Sequence, residues 1–385
     1  FLSTLCSPTP WRTAGQELLG HLPDELTLLS DLTHLLLPHN SIQGTLPPAY
    51  GDSSKFPLVA LDLRDNMIIG TLADGFFANS QTLEKLNLGV NMLVGRLPSS
   101  IFTTQSLQSL NLTHNNLTDE VPVEISYLAS LTSLDLSYNL WRGEVPTELG
   151  VLSRLEHLIV GGYRGITGQL PTEIGKLTRL RLLDISNTKM RGKLPAEIGN
   201  LLRLQSLDVS NSEMTEQVPS EYGLLSNLQF LNMAQNKLAG SIPTTLGLLT
   251  ELVDLRLNGN NLIGPIPTEF GLLTDLEVLH MQANELNGII GAELGLMTSL
   301  MDLRLNHNNF NGTLPISFVL LGDLRVALFH ANSIVGPIPT GVCSILILEQ
   351  FMTDCNSQPP TVDCSCCTQC CVPQVFDSCP VDFDF

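Results

Sequence analysis

The chain has 385 residues, of which 43% are hydrophobic but only 5% aromatic, so aliphatic side chains must fill its interior. This length exceeds what one hydrophobic core usually serves, which favours either several domains or a repeat architecture. A formal net charge of −19 argues against nucleic acid and anionic membranes as partners.

Residues 1–31 precede the first complete repeat and are predicted to form a partial cap. They hold one cysteine, Cys6, and a half-repeat marked by Leu22-Pro23 in the phase of the repeats that follow. The sequence begins at Phe1 without a charged and then apolar leader, so we expect a processed or partial chain. No apolar run approaches the roughly 18 residues of a membrane-spanning helix, and we predict no such segment in this chain.

Residues 32–342 repeat the pattern L-x-x-L-x-L-x-x-N-x-L-x-G-x-(I/L/V)-P thirteen times, at steps of 24 to 26 residues. Alternating leucines such as Leu255 and Leu257 are typical of a strand with one buried face. A unit of this size cannot bury its own apolar stripe, so neighbours must stack and pair their strands in one parallel sheet. The asparagine amide can satisfy backbone groups of its own repeat and of the adjacent one. The pattern therefore predicts a repeat solenoid of the α/β type.

The segment Leu252-Val-Asp-Leu-Arg-Leu-Asn-Gly-Asn-Asn-Leu-Ile-Gly-Pro-Ile-Pro267 resembles the plant-type leucine-rich repeats of receptor-kinase ectodomains and polygalacturonase-inhibiting proteins. The resemblance covers about residues 16 to 355. It implies a right-handed superhelix, a concave parallel sheet that binds ligands, and extra short strands from the G-x-I-P segments. Cys6 and Trp11 resemble part of that family's N-terminal cap, whose second cysteine is absent here.

Three repeats break the asparagine column, with Tyr163, Thr188 and Ser212 in its place. The segment Gly161-Gly-Tyr-Arg-Gly-Ile-Thr-Gly168 also carries an extra residue. One interpretation is that hydroxyl groups partly replace the amide and the repeat tolerates the change. The other is that Tyr163 and Arg164 mark a second contact region, because some peptide-receptor ectodomains of the resembled family carry a similar glycine-tyrosine irregularity.

The strand position between the two leucines is mostly Asp or Asn in the first nine repeats, and becomes Arg256, His280 and Arg304 in the next three. Two arginines that flank a histidine form a local positive focus suited to a carboxylate or sulfate. Alternatively, Asp254 and Asp302 neutralise the arginines on a solvated sheet. The candidate ligand-binding residues are Asp254, Arg256, Asn258, His280, Gln282, Asp302, Arg304, Asn306 and His307.

Residues 343–385 are predicted to form a cysteine-rich C-terminal cap and tail. The cysteines are Cys343, Cys355, Cys364, Cys366, Cys367, Cys370, Cys371 and Cys379. Disulfides are the favoured interpretation, with Cys343–Cys355 closing the cap, and zinc ligation is the alternative. The run Cys364-Ser-Cys-Cys-Thr-Gln-Cys-Cys371 resembles surface leucine-rich-repeat proteins of diatoms and related algae. Glycosylation sequons at Asn111, Asn116 and Asn311 also favour an oxidising, extracellular compartment.

The sequence carries no recognisable catalytic motif. No G-x-x-x-x-G-K-[ST], H-E-x-x-H or G-x-S-x-G occurs, and none of the eight histidines forms an i, i+4 ligand pair. We predict a non-enzymatic extracellular or cell-surface recognition module, secreted or the ectodomain of an anchored protein, that binds a protein or peptide without a cofactor or metal. The alternatives are a structural or adhesive surface or wall protein that binds polysaccharide or matrix, and an inhibitor of secreted polysaccharide-degrading enzymes.

Overall fold

Every complete repeat contributes one short strand whose middle residue is buried, as the leucine alternation predicts. The computed structural model describes residues 11–12, 14–342, 345, 347–353, 362–363 and 367–370. The chain divides into two units, Phe1–Met190 and Arg191–Phe385. Each unit is a leucine-rich-repeat solenoid, which confirms the predicted fold class.

In the first unit the strands pair in parallel and in chain order. These strands are Trp11–Arg12, His34–Leu36, Ala60–Asp62, Lys85–Asn87, Ser109–Asn111, Ser133–Asp135, His157–Ile159 and Leu182–Asp184. The second unit repeats the arrangement. Its strands are Ser206–Asp208, Phe230–Asn232, Asp254–Arg256, Val278–His280, Asp302–Arg304, Val326–Leu328, Gln350–Thr353 and Gln369–Cys370. We call the outward side of these strands, opposite the buried leucines, the strand face.

A second set of short parallel strands runs along each unit, at or next to the G-x-(I/L/V)-P segments, as expected. In the first unit these strands are Leu19–His21, Ser41–Gly44, Met67–Thr71, Met92–Gly95 and Asn116–Leu117, with the pair Gly143–Glu144 and Ile166–Thr167. In the second unit they are Arg191–Lys193, Glu213–Glu216, Lys237–Ser241, Asn261–Gly264, Glu285–Ile289, Asn309–Gly312 and Ser333–Ile334, with the pair Gly336–Pro337 and Val362–Asp363.

Short 3-10 helices follow the proline of most repeats, because proline fixes an extended residue immediately before the first turn. In the first unit they span Asp24–Leu28, Pro48–Gly51, Ser99–Thr103, Val123–Tyr127, Thr147–Val151 and Thr172–Lys176, with one α-helical turn at Asp74–Phe77. In the second unit they span Ala196–Asn200, Ser220–Leu224, Thr244–Leu248, Thr268–Leu272, Ala292–Leu296 and Ile316–Leu320.

The column asparagines join neighbouring repeats, as Asn260 illustrates. Its Nδ2 donates to the carbonyls of Met233 in the preceding repeat and Leu257 in its own, both at 3.0 Å. Its Oδ1 accepts from the backbone N–H of Leu238 at 3.0 Å. The predicted role of the asparagine is confirmed. Because one side chain satisfies three buried backbone groups, the column fixes the spacing between repeats.

In repeats that lack the column asparagine, other side chains donate hydrogen bonds to the backbone carbonyls. Thr188 Oγ1 donates to the carbonyl of Ile185 at 3.2 Å, within its own repeat. At position 163 the column holds a tyrosine, and the corresponding carbonyl of the preceding repeat is that of Leu136. This carbonyl accepts instead from the indole Nε1 of Trp141 at 2.7 Å. Trp141 is buried and lies in the repeat that precedes the irregular segment. Its ring therefore supplies the hydrogen bond that an asparagine at position 163 would have made.

Candidate functional site

Three of the sequence-predicted residues of the second unit, Arg256, His280 and Arg304, lie in one row on the strand face. The parallel register places the residues that follow each buried strand leucine next to one another across adjacent strands. This row reads Asp208, Asn232, Arg256, His280, Arg304, Leu328 and Met352. The row changes from acidic and amide side chains, through two arginines and a histidine, to apolar side chains. The two arginines therefore flank His280, as the sequence predicted.

Arg256 is held by the aspartate two residues before it on the same strand. Its Nε donates to Asp254 Oδ1 at 2.9 Å, and its Nη2 donates to Oδ2 at 2.9 Å. Hydrogen bonding to Asp254 raises the pKa of the Arg256 guanidinium, and the charge of Asp302 adds to the effect. The Arg256 side chain remains 39% exposed. A bidentate pair of this kind fixes the plane of the guanidinium while it leaves Nη1 free of the aspartate.

His280 and Arg304 share one carboxylate, that of Asp302. Nε of Arg304 donates to Oδ1 at 3.0 Å, and Nε2 of His280 lies 3.0 Å from Oδ2. The His280 contact does not have hydrogen-bond geometry, so it is an ion pair only when the ring is protonated. Burial would raise the pKa of Asp302, but the contacts with His280 and Arg304 outweigh it and lower that pKa. Asp302 therefore stays ionised, and its hydrogen bonds orient Arg304. We call Asp254, Arg256, His280, Asp302 and Arg304 the Arg–His patch.

The Arg–His patch is less positive than a row of unpaired cations would be, because each arginine is paired with an aspartate of its own strand. This is the arrangement that the second interpretation of the sequence described. The hydrogen bonds of Arg304 to Asp302 use Nε alone, so both of its Nη groups remain available. A carboxylate that binds beside Arg304 would receive hydrogen bonds from a guanidinium already fixed in orientation.

A second row lies two residues beyond the first and contains the predicted amides. Asn258 and Gln282 are half-buried, and Asn306 is buried. The row continues to His330, whose Nε2 lies 3.4 Å from Asn306 Nδ2. Gln282 Oε1, Asn306 Oδ1 and His330 Nδ1 are buried and have no hydrogen-bond partner. Buried polar atoms without partners are costly, so these three positions call for an explanation.

His330 was missed by the sequence analysis, although its register could have revealed it. It stands two residues after Leu328, as Asn306 stands two residues after Arg304. Burial and the nearby His307 lower the pKa of His330 to about 4. The two rings meet edge to face, with centroids 5.3 Å apart. His307 itself is exposed in the turn that follows its strand, with a left-handed φ of 54°.

The second contact region predicted from sequence lies in the first unit. Tyr163 and Arg164 are exposed in the loop that enters the Ile166–Thr167 strand. In the same unit, His114 and Tyr138 stack with ring centroids 4.2 Å apart. The ring of Tyr138 lies against Gly162, where a Cβ atom would approach its Cγ to 2.7 Å. The glycine in the irregular segment therefore makes room for the tyrosine of the preceding repeat.

The first unit also holds a cavity of about 360 Å³ on its strand face. Its lining includes the outward residues His34, Asp62, Lys85 and Asn87. These positions could not be singled out from the sequence, because their residue types differ little from those of the repeat pattern.

Two of the three glycosylation candidates are exposed on the second set of strands, namely Asn116 and Asn311. Asn111 is half-buried at the end of a strand-face strand, and its Oδ1 accepts from the backbone N–H of Thr113 at 3.0 Å. Asn111 is therefore the least accessible of the three.

Cys6 lies outside the described residues. So does most of the cysteine-rich C-terminal segment, including the favoured Cys343–Cys355 pair and Cys364, Cys366, Cys371 and Cys379. Cys367 is disulfide-bonded. Cys370 ends the last strand-face strand. Within the described ranges, no group of three or more His, Cys, Asp or Glu side chains could hold a metal ion. In the same ranges, no helix has the length and apolar character needed to cross a membrane.

Two family models match the sequence. A leucine-rich-repeat region model matches residues 162–288 and 196–321, and a leucine-rich-repeat model matches residues 93–140. No curated protein sequence matches the chain.

Solved structures similar to this chain include ectodomains of plant receptor kinases. The structure of a TDR receptor has 30% identity and a TM-score of 0.85, over 89% of this chain and 58% of that chain. PEPR1-AtPEP1 has 32% identity and a TM-score of 0.75, over 87% and 50%. The Arabidopsis receptor kinase HAESA, in complex with the peptide hormone IDA and the co-receptor SERK1, has 27% identity and a TM-score of 0.81, over 89% and 61%.

The chain belongs to the leucine-rich-repeat proteins. Its repeats are of the plant extracellular type found in receptor-kinase ectodomains. The chain spans 50% to 61% of the length of the three similar structures.

Proposed function

We propose that this chain is a non-enzymatic extracellular recognition module that binds a protein or peptide ligand on its strand face, either secreted or as part of an anchored ectodomain. The contact is assigned to the Arg–His patch together with Asn258, Gln282, Asn306 and His307. Support comes from two similar structures, PEPR1-AtPEP1 and HAESA in complex with the peptide hormone IDA.

The observation that carries the proposal is the arrangement around Arg304. Its guanidinium is oriented by Asp302, its Nη groups are uncommitted, and its side chain is 19% exposed. Two buried polar atoms without partners, Gln282 Oε1 and Asn306 Oδ1, belong to residues two positions after His280 and Arg304 on the same two strands. A ligand carboxylate would bind the Nη groups, and adjacent peptide amides would satisfy the amide side chains. The ligand class that fits is an acidic peptide in an extended conformation.

Selection from a display library of short linear peptides tests this proposal. The intact chain and its Arg256→Gln/Arg304→Gln variant serve as parallel targets, and selected peptides are synthesised and titrated by calorimetry. We expect the intact chain to select peptides rich in Asp or Glu, which bind the double variant at least about tenfold more weakly. Peptides without acidic residues, or equal affinity for both targets, would contradict the assignment.

A further inference from the structure

The 3-10 helices of the second unit carry an exposed column of leucines. In five successive repeats the helix ends on a leucine, at a constant step of 24 residues. These residues are Leu224, Leu248, Leu272, Leu296 and Leu320, and each is between 51% and 58% exposed. We call them the leucine row. The preceding repeat has Asn200 at the same position, so the fold itself does not require leucine there.

The helices that carry the leucine row are closely stacked, because glycine precedes four of the five leucines. A Cβ atom at Gly247 would approach the carbonyl oxygen of Glu269 in the next repeat to 2.5 Å. A larger residue would therefore force the two helices apart. At Gly271 the same Cβ position lies 3.4 Å from Cδ1 of Leu296, so that side chain lies beside the residue that precedes Leu272. The leucines of neighbouring repeats thus form a continuous apolar stripe.

The leucine row is unlike the rest of the exposed apolar surface. Single exposed apolar residues are normal on proteins, whereas a contiguous stripe marks an interaction surface. In the last of the five helices, Ile316 and Val319 are exposed as well. The row lies on the 3-10 helices and not on the strand face, so it is separate from the Arg–His patch.

Carboxylates accompany the leucine row. The positions three residues before and three residues after each leucine hold a carboxylate at six of ten places and no basic residue. The six are Glu221, Glu251, Glu269, Asp275, Glu293 and Asp323. The ion pairs of the second unit's described residues involve other carboxylates, those of Glu213, Asp254 and Asp302. The row is therefore an apolar stripe with negative charge near it.

We propose that the leucine row binds a basic amphipathic α-helix of a partner protein, which lies along the stripe. Neighbouring repeats are stacked about 4.8 Å apart, close to the 5.4 Å pitch of an α-helix. One turn of the partner helix therefore lies over each leucine, and its apolar residues at every third or fourth position face the row. Four repeat spacings span about 20 Å, which a helix of about 14 residues covers.

Charge favours this partner over a second copy of the chain. A two-fold dimer through the leucine row would bring the carboxylates of one copy close to those of the other. Each copy has a net charge of −19, so this contact would be repulsive. Lysine or arginine side chains on the flanks of an amphipathic helix would instead pair with carboxylates such as Glu269 and Asp275.

Fluorescence anisotropy with a labelled synthetic helix tests the proposal on the full chain. The probe has about 18 residues, or five turns, with leucine at every third or fourth position and lysine elsewhere. A control peptide has the same composition in an order that forms no apolar stripe. We expect the probe to bind at least about tenfold more tightly than the control peptide, and to become helical as it binds.

The triple variant Leu248→Gln/Leu272→Gln/Leu296→Gln removes the centre of the row without a change in charge. We expect it to bind the probe at least about tenfold more weakly, because three apolar contacts are lost. These side chains are more than half exposed, and the same column already contains an amide, so the fold should persist. Ile263→Gln/Ile289→Gln is the matched control, because both isoleucines are exposed on the second set of strands. Its Kd should change by less than about twofold.

A second variant, Glu251→Gln/Glu269→Gln/Asp275→Asn, tests the charge complementarity separately. We expect it to weaken binding of the probe about threefold or more at low ionic strength, with a smaller effect of added salt than in the intact chain. Equal affinity for the probe and the control peptide, or an unchanged Kd in the leucine variant, would overturn the proposal. Dimerisation of the intact chain that the leucine variant abolishes, measured by sedimentation, would assign the row to a second copy and overturn it too.

Discussion

Nε of Arg304 donates to both carboxylate oxygens of Asp302, two residues earlier on the same strand, at 3.0 and 3.2 Å. The aspartate therefore fixes the direction of the guanidinium before any ligand arrives, and the entropy cost of ordering the arginine is already met in the free protein. The same relationship occurs two strands away between Arg256 and Asp254. The strand face thus presents two oriented guanidinium groups, each with its charge balanced by an aspartate of the same strand.

The free energy of unfolding should fall as the pH falls from about 6.5 to about 4, because of His330. Its folded-state pKa is lowered to about 4 from the ordinary 6.5, so the unfolded chain binds a proton in this range that the folded chain does not. One such proton contributes up to about 1.4 kcal/mol per pH unit. Chemical denaturation across this range should show a smaller slope for His330→Gln than for the intact chain. An identical slope in both proteins would contradict the assignment.

Trp141→Phe should destabilise the protein. The substitution keeps an aromatic ring but removes the indole N–H that donates to the carbonyl of Leu136 at 2.7 Å. The Leu136 carbonyl keeps a second donor, Asn139 Nδ2 at 3.2 Å, so the loss of the indole hydrogen bond should cost about 0.5–1.5 kcal/mol. Chemical denaturation of the two proteins measures the difference, and an unchanged free energy of unfolding would show that the indole does not replace the missing asparagine.

Tyr222→Phe should not lower the free energy of unfolding, in contrast to Trp141→Phe. The hydroxyl of Tyr222 is buried without a hydrogen-bond partner, and burial raises its pKa well above the ordinary value. Its removal should leave the free energy of unfolding unchanged or raise it by up to about 1 kcal/mol. Tyr50→Phe is the matched control, because the Tyr50 hydroxyl donates to the carbonyl of Pro23 at 2.8 Å and its loss should destabilise. Equal effects of the two substitutions would refute this account.

Most of the scaffold could be predicted from the sequence, because each repeat uses the same residues for the same purpose. The leucine alternation predicts the buried side of each strand, and the asparagine column predicts the bonds seen at Asn260. The compensation at Trp141 could not be predicted, because it depends on where one ring lies in a single irregular repeat.

The candidate site was predicted less completely. The sequence places Arg256 and Arg304 on one face of the sheet. Whether the two arginines are unpaired or form ion pairs with neighbouring aspartates depends on side-chain conformation, which the sequence does not give. The pairing with Asp254 and Asp302 emerges only in three dimensions. Likewise, alternation places Leu328 on the outward side, but its burial depends on what lies against that side.

Glycosylation should favour Asn116 and Asn311 over Asn111 when the chain is produced through a eukaryotic secretory pathway. Asn116 and Asn311 are exposed, whereas the side-chain oxygen of Asn111 accepts from the backbone N–H of Thr113. Mass spectrometry of peptides treated with a glycosidase in heavy-oxygen water measures the occupancy of each site. Occupancy of Asn111 equal to that of the other two would show that this hydrogen bond does not limit access.

The most direct test of the central claim is the affinity of one selected acidic peptide for three proteins: the intact chain, Arg304→Gln and Arg203→Gln. Arg203 is exposed in the same unit but outside the strand-face strands, which makes it a matched control. Isothermal titration calorimetry should show that Arg304→Gln raises Kd at least about tenfold, as expected for a lost charged hydrogen bond, while Arg203→Gln changes it by less than about twofold. An equal change in both variants, or none in Arg304→Gln, would contradict the assignment of ligand binding to the Arg–His patch.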